Sequence, residues 1–272
     1  MHGSGEPGSD QGGAQQSFAP SLKQAFATWG EYGEAAEDLV HLTHEGLSAI
    51  VNEPQMLRLL EMEPEEIDRA EWKAFRARRE VEAGFPTLHA HSLLGLCGAL
   101  ECLVEDVFVS RIRENRSLLT GGAFAKVKLP VALIVGLDGN DVALAVLNEV
   151  TRLTNVGFAV GPAKYERLLE FVGLAGSIPG PIRDALWLGQ QVRNVWAHRG
   201  GIADRRFIES VPGSRWPLGE RVNMETDDFM RLLHGIHMYG VVVLNRCLDA
   251  HGQARVVAEC RGYEGILAEV PA

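Results

Sequence analysis

Residues 87–115 read TLHAHSLLGLCGALECLVEDVFVSRIREN, and the fold follows from this stretch. Leu93, Leu96, Leu100, Leu103 and Val107 recur at helical spacing, and other apolar residues fill most of the remaining circumference. A helix that is apolar nearly all round must be covered on every side, so this one is central and other helices surround it. Glu101 and Glu105, one turn apart, mark its one narrow polar face. Phe85-Pro86 precedes it and breaks the chain, because the residue before a proline is pushed out of helical geometry.

Working outward, residues 21–50 form an amphipathic helix through Phe26, Trp29, Leu39, Leu42, Leu47 and Ile50, with Pro54 as punctuation. A second helix starts near Pro64, with Glu65 and Glu66 favourably placed in its first turn, and runs to Gly84. On the other side, KVKLPVALIVGLDGN (residues 126–140) reads as a short strand or an irregular helix. Asn140 or Asp141 caps the next helix, which carries Val142, Val146 and Val150 on one face. A short helix follows over 162–174. Pro179-Gly180-Pro181 then opens a helix with Leu188, Val192 and Val195 as its apolar stripe, and Gly200-Gly201 ends it. ERVNM, residues 220–224, could form a strand. Thr226 caps a last long helix, and Asp227 and Asp228 complement its dipole. The expected architecture is an all-α antiparallel helical bundle with at most a small β accessory element. Residues 1–20 form a Gly/Ser/Gln-rich tail, 21–85 an N-terminal helical extension, 86–250 the bundle, and 251–272 a C-terminal tail or hairpin.

With 46% apolar and 23% charged residues in 272, the composition is that of an ordinary globular protein with ample core. No apolar run is long enough to span a bilayer, and the N-terminus lacks the basic and apolar regions of a secretory signal. Cys97, Cys102, Cys247 and Cys260 form neither a disulfide framework nor a zinc pattern, so free thiols in a reducing cytoplasm are expected. The net charge of −10 argues against a global electrostatic grip on nucleic acid. The charge is uneven. Residues 31–80 hold thirteen acids and six bases, whereas residues 183–206 hold five arginines and two aspartates.

That basic segment contains QQVRNVWAHRGGIADRRF, residues 190–207. Asn194 and His198 are four apart and share a helix face, where an amide can bond one imidazole nitrogen and leave the other for proton transfer. Arg193 lies about 140° round the helix from His198, and its planar fork of donors suits a phosphate. One helical turn thus carries a proton-transfer group, its orienting amide and an anion clamp.

Arg193, polar Asn194 and His198, followed by the glycine-rich, Asp-containing run Arg199 to Asp204, resemble the Arg-x4–6-His signature of the HEPN superfamily, in its ribonuclease-like branch. The resemblance covers roughly residues 87–250, with about a dozen specific positions. It implies a helical bundle that cleaves RNA without metal or cofactor, as a homodimer with the two motifs facing each other. His198 would be the general base on a ribose 2′-hydroxyl, since imidazole titrates near ~6.5. Arg193 would hold the scissile phosphate, and the product would end in a 2′,3′-cyclic phosphate. Glu101 is the candidate supporting partner of Arg193, and Arg199, Arg205 and Arg206 are candidate RNA contacts. Members of this branch often serve as toxins or defence effectors. The alternative is a non-catalytic module of the same fold that binds RNA or a protein regulator.

The remaining motifs carry blander readings. His41-x-x-His44 and His234-x-x-His237 have spacing that can bind metal in bundles, but ordinary surface or core histidines explain them better. The same holds for His89 and His91. Trp187 and Trp196 could stack on bases, but packing is the simpler use. There is no Gly-Lys-Ser/Thr phosphate loop and no Gly-x-Ser-x-Gly elbow.

Overall fold

A computed structural model of the chain describes residues 18–130, 138–153 and 161–269. Among these residues eight α-helices form a helical bundle and no β-strand occurs. They are α1 (Pro20–Leu59), α2 (Pro64–Glu82), α3 (Pro86–Glu114), α4 (Gly139–Leu153), α5 (Pro162–Phe171), α6 (Gly180–Arg199), α7 (Arg205–Ser210) and α8 (Thr226–Ala250). No helix is long and apolar enough to cross a membrane among the described residues.

The central position of α3 is as its sequence requires. It packs against α1, α4, α5, α6 and α8, and Leu93, Leu96, Leu100, Leu103, Val104 and Val107 are all buried. The second axis of the core is α8, which meets both α6 and α1. Close approach there depends on glycine. A Cβ on Gly240 would overlap the Trp29 indole of α1, and one on Gly235 would collide with Ala185 of α6 and Tyr263.

The segment expected to be an N-terminal extension is continuous with this core. Leu22, Ala25, Trp29, Gly33, Ala36 and Val40 form the buried stripe of α1, at the three-and-four spacing that keeps one helix face inward. Phe18 is buried too, with its ring 6.4 Å from Phe26 and 5.0 Å from His251. The buried core therefore includes Phe18 of the expected tail, whose residues 1–17 lie outside the described ones. The second half of α1 behaves differently. The helix does not stop near Pro54 but continues through it to Leu59. An internal proline costs about 3 kcal/mol. Here it is buried, and α2 packs along α1 through a small-residue face of Ala70, Ala74 and Ala77.

Other boundaries shift for local reasons. The carboxylate of Asp138 accepts the Asp141 amide (2.9 Å) at the start of α4, two to three residues before the expected cap. Thr226 is the first residue of α8, and Glu225 caps it without a side-chain bond. Residues 116–124 form two short 3-10 turns. The strand alternative for 126–140 falls largely on residues 131–137, outside the described ones. In ERVNM only Arg221 pairs in β fashion, as an isolated bridge to Ile202. The C-terminal stretch folds back without a hairpin. Asn245 bonds both backbone groups of Val256, and the Tyr263 hydroxyl donates to the Arg231 carbonyl (3.1 Å).

Candidate functional site

Helix α6 starts after Pro179, with Pro181 in its first turn, where a missing amide costs nothing. Ile182, Ala185, Leu186, Gly189, Val192 and Val195 seat it on the core, while Leu188, expected on the stripe, lies at its edge. Gly200 and Gly201 both take left-handed geometry at the end (φ 60° and 83°). The Gly201 amide returns to the Val195 carbonyl (3.2 Å), and a Cβ on it would press into the Trp196 ring. The glycine pair therefore turns the chain sharply just after His198.

The chain leaving α6 is strapped to residues 219–224. The Ala203 amide donates to the Glu220 carbonyl, the Gly219 amide to the Ala203 carbonyl and the Val222 amide to the Gly201 carbonyl, each at 2.8 Å. Trp196 Nε1 donates to the Val222 carbonyl at 2.9 Å, with the Arg221 guanidinium over the same ring. Beyond the turn, Asp204 caps α7 by accepting the Phe207 amide (2.9 Å), and its other oxygen takes Arg199 Nε (3.3 Å). The indole of Trp187 is bonded to the Ser210 carbonyl (2.9 Å). Both tryptophans of α6 are thus tied into local structure.

On this platform His198 stands exposed at the end of α6, with no hydrogen bond or ion pair among the described residues. Arg205 and Arg206 are exposed and without an acidic partner there, whereas Arg199 is held by Asp204. Asn194 does not bond His198. Its Oδ1 accepts instead from Arg193 Nη1 (3.3 Å). Arg193 is half-buried and looks towards the seam of α3, α5 and α6. There its charge opposes the upward push that burial gives the Cys97 thiol, which still reaches about 12, and the Tyr165 hydroxyl.

Glu101 lies in the same seam, but its ion partner is Lys164 of α5 (2.9 Å), not Arg193. One turn on, burial raises the Glu105 carboxyl above its ordinary range, and Lys164 partly offsets this. Sequence reasoning did not single out Lys164, and only the packing of α5 on α3 reveals it. The single chain thus gathers Arg193 and Asn194 with Cys97 and the Glu101–Lys164 pair at the seam. It leaves His198 exposed at the end of α6, with exposed Arg205 and Arg206 following at the start of α7. No bond joins the imidazole to the guanidinium.

No group of three or more His, Cys, Asp or Glu side chains able to hold a metal ion occurs among the described residues. His41 is near Glu37 (3.8 Å), while His44 and His89 approach each other only as rings, 5.3 Å between centroids. Comparison with protein-family models, curated proteins and solved structures returned no match, so the resemblance of the α6 motif stands on the residues of this chain alone.

Proposed function

We propose that the protein is a metal-independent RNA endonuclease of HEPN type that acts as a homodimer, as a toxin or defence effector in the cytoplasm. The observation that carries this reading is His198, an exposed imidazole with no bonded partner among the described residues, on the helix that carries Arg193 and followed in the chain by exposed Arg205 and Arg206. A neutral imidazole nitrogen accepts the ribose 2′-hydroxyl proton as the 2′-oxygen attacks phosphorus. The P–O5′ bond breaks, the 5′-oxygen takes up a proton, and a 2′,3′-cyclic phosphate remains. Arg193 neutralises charge on the phosphate oxygens. In one chain it faces the α3–α5–α6 seam, so a second copy is needed to bring a guanidinium opposite the exposed imidazole.

A second reading, a non-catalytic module of the same bundle that binds RNA or a protein regulator, is favoured by one specific contact. Asn194 is engaged by Arg193, which leaves His198 without the bond that would fix its tautomer. One experiment separates the two. Purified protein is incubated with single-stranded RNA and a chelator, alongside His198→Ala and an RNA carrying 2′-deoxyribose at the cut. The endonuclease gives cyclic-phosphate ends that vanish with either change, with activity lost by about a hundredfold or more, as for removal of a general base. Cutting that needs metal, or that survives in His198→Ala, overturns the proposal. RNA binding without cutting supports the module.

A further inference from the structure

A cavity of about 520 Å³ lies where α1, α2 and the start of α3 meet, away from the Arg193 seam. That is the size at which small organic molecules are held. Leu39, Leu88 and Ala35 supply an apolar wall, and Tyr32, His91, Ser92 and Glu80 supply polar edges. The Tyr32 hydroxyl rests against α3 at Gly95, where a Cβ would leave it no room. Two of the polar edges are incomplete. Ser92 is 7% exposed and its Oγ has no hydrogen-bond partner, and Glu80 Oε1 is likewise buried and unbonded. A buried polar atom without a partner destabilises the fold, and a charged one does so more. Such costs tend to persist where a ligand relieves them.

The turn beside the cavity is strained. Gly84 and Phe85 both have positive φ (75° and 58°), and Phe85 is a bulky residue in left-handed geometry. Its ring is held there by stacking on His44, 3.7 Å between centroids. Strain of this kind collects at binding sites because the surroundings must over-determine it. Behind the turn, His89 Nδ1 donates to the Met224 carbonyl (2.9 Å), so Nε2 carries the lone pair, and that atom too is buried without a partner. The carboxylate of Glu80 is close enough to act on this ring electrostatically. Glu80 Oε1 and His89 Nε2 can only accept, while the Ser92 hydroxyl can accept or donate, so the unmet capacity at the junction is mostly for accepting and includes one carboxylate, in the part of the chain that holds thirteen acids against six bases.

We propose that this cavity binds a small organic amine, with its ammonium group on Glu80 and Ser92 and its apolar body against Leu39 and Leu88. A carboxylate-bearing ligand would face Glu80 with like charge, and a neutral alcohol can donate one hydrogen bond to the carboxylate but leaves its charge uncompensated. The site is independent of the α6 motif and does not rest on RNA cleavage.

The test is isothermal titration calorimetry at neutral pH with three probes that share an indole body: tryptamine, tryptophol and indole-3-propionate. Tryptamine should bind about tenfold or more tighter than the carboxylate probe. Glu80→Gln should weaken tryptamine by about tenfold and tryptophol by much less, since only the amine loses a charge partner. Ala35→Trp, an exposed wall position, should abolish binding of all three by filling the space. Binding of indole-3-propionate as tight as that of tryptamine overturns the proposal. So does tryptamine affinity unchanged in Glu80→Gln, or the absence of tryptamine binding at millimolar concentration. If Glu80→Gln fails to fold, as judged by circular dichroism, the probe ranking and Ala35→Trp decide the matter.

Discussion

The strap of residues 219–224 joins two helix ends that treat histidine in opposite ways. At the end of α6, His198 is exposed and bonded to nothing among the described residues. At the start of α3, His89 is fully buried, stacked on Phe229 at 5.0 Å and 9°, and donates to the Met224 carbonyl. The strap meets the end of α6 through Trp196 and Val222, and meets His89 through Met224. One imidazole is a structural member. The other contributes nothing visible to the fold, which is why chemistry is sought there. Isolation of a titratable group on a rigid platform is informative in a way that its sequence spacing is not.

Three measurements would break or sharpen this contrast. The largest effect should come from His89→Ala, which opens a space under Phe229 and leaves the Met224 carbonyl without its donor. A loss of about 2–4 kcal/mol in urea unfolding is expected, and a loss below about 0.5 kcal/mol would mean that the strap does not depend on His89. A smaller effect should appear on acidification. Burial holds His44, His89 and His237 below the ordinary imidazole value. The unfolded chain then binds more protons than the folded one in the window between each folded value and about 6.5. Stability should be complete above about 6.5 and should fall as pH drops below it, with a shallower fall in His89→Ala. The smallest effect should be that of His198→Ala, within about 0.5 kcal/mol of the parent. A larger loss would reveal a structural role for the exposed ring and remove the contrast.

The central helix and the ends of α2, α3 and α6 were legible because they are local. An apolar circumference, a proline in a first turn and a pair of glycines each act within a few residues. The passage of α1 through Pro54 was not legible, since it depends on α2 lying alongside, and the alanines that permit this are silent until the two helices are paired. The capping role of Asp138 was obscured by Asn140 and Asp141, which compete for the same task. At the candidate site, spacing correctly placed Asn194 and His198 on one face of α6 but could not foresee that Asn194 would turn to Arg193. Glu101 was a candidate partner of Arg193, yet its ion partner is Lys164, from a helix about sixty residues further on. The cavity beside Glu80 had no signature at all, because three separate helices contribute its walls.

Cys97 lies in the seam under Arg193 and Cys247 in the body of α8, and burial pushes both thiols up to about 12. Neither forms appreciable thiolate at neutral pH, and neither meets an alkylating reagent while the helices stay closed. Cys102, on the outer side of α3, is open to reagent throughout. The chain therefore carries its own clock and its own control. Modification of the shielded sulfurs counts openings of the bundle, while Cys102 registers that reagent was present.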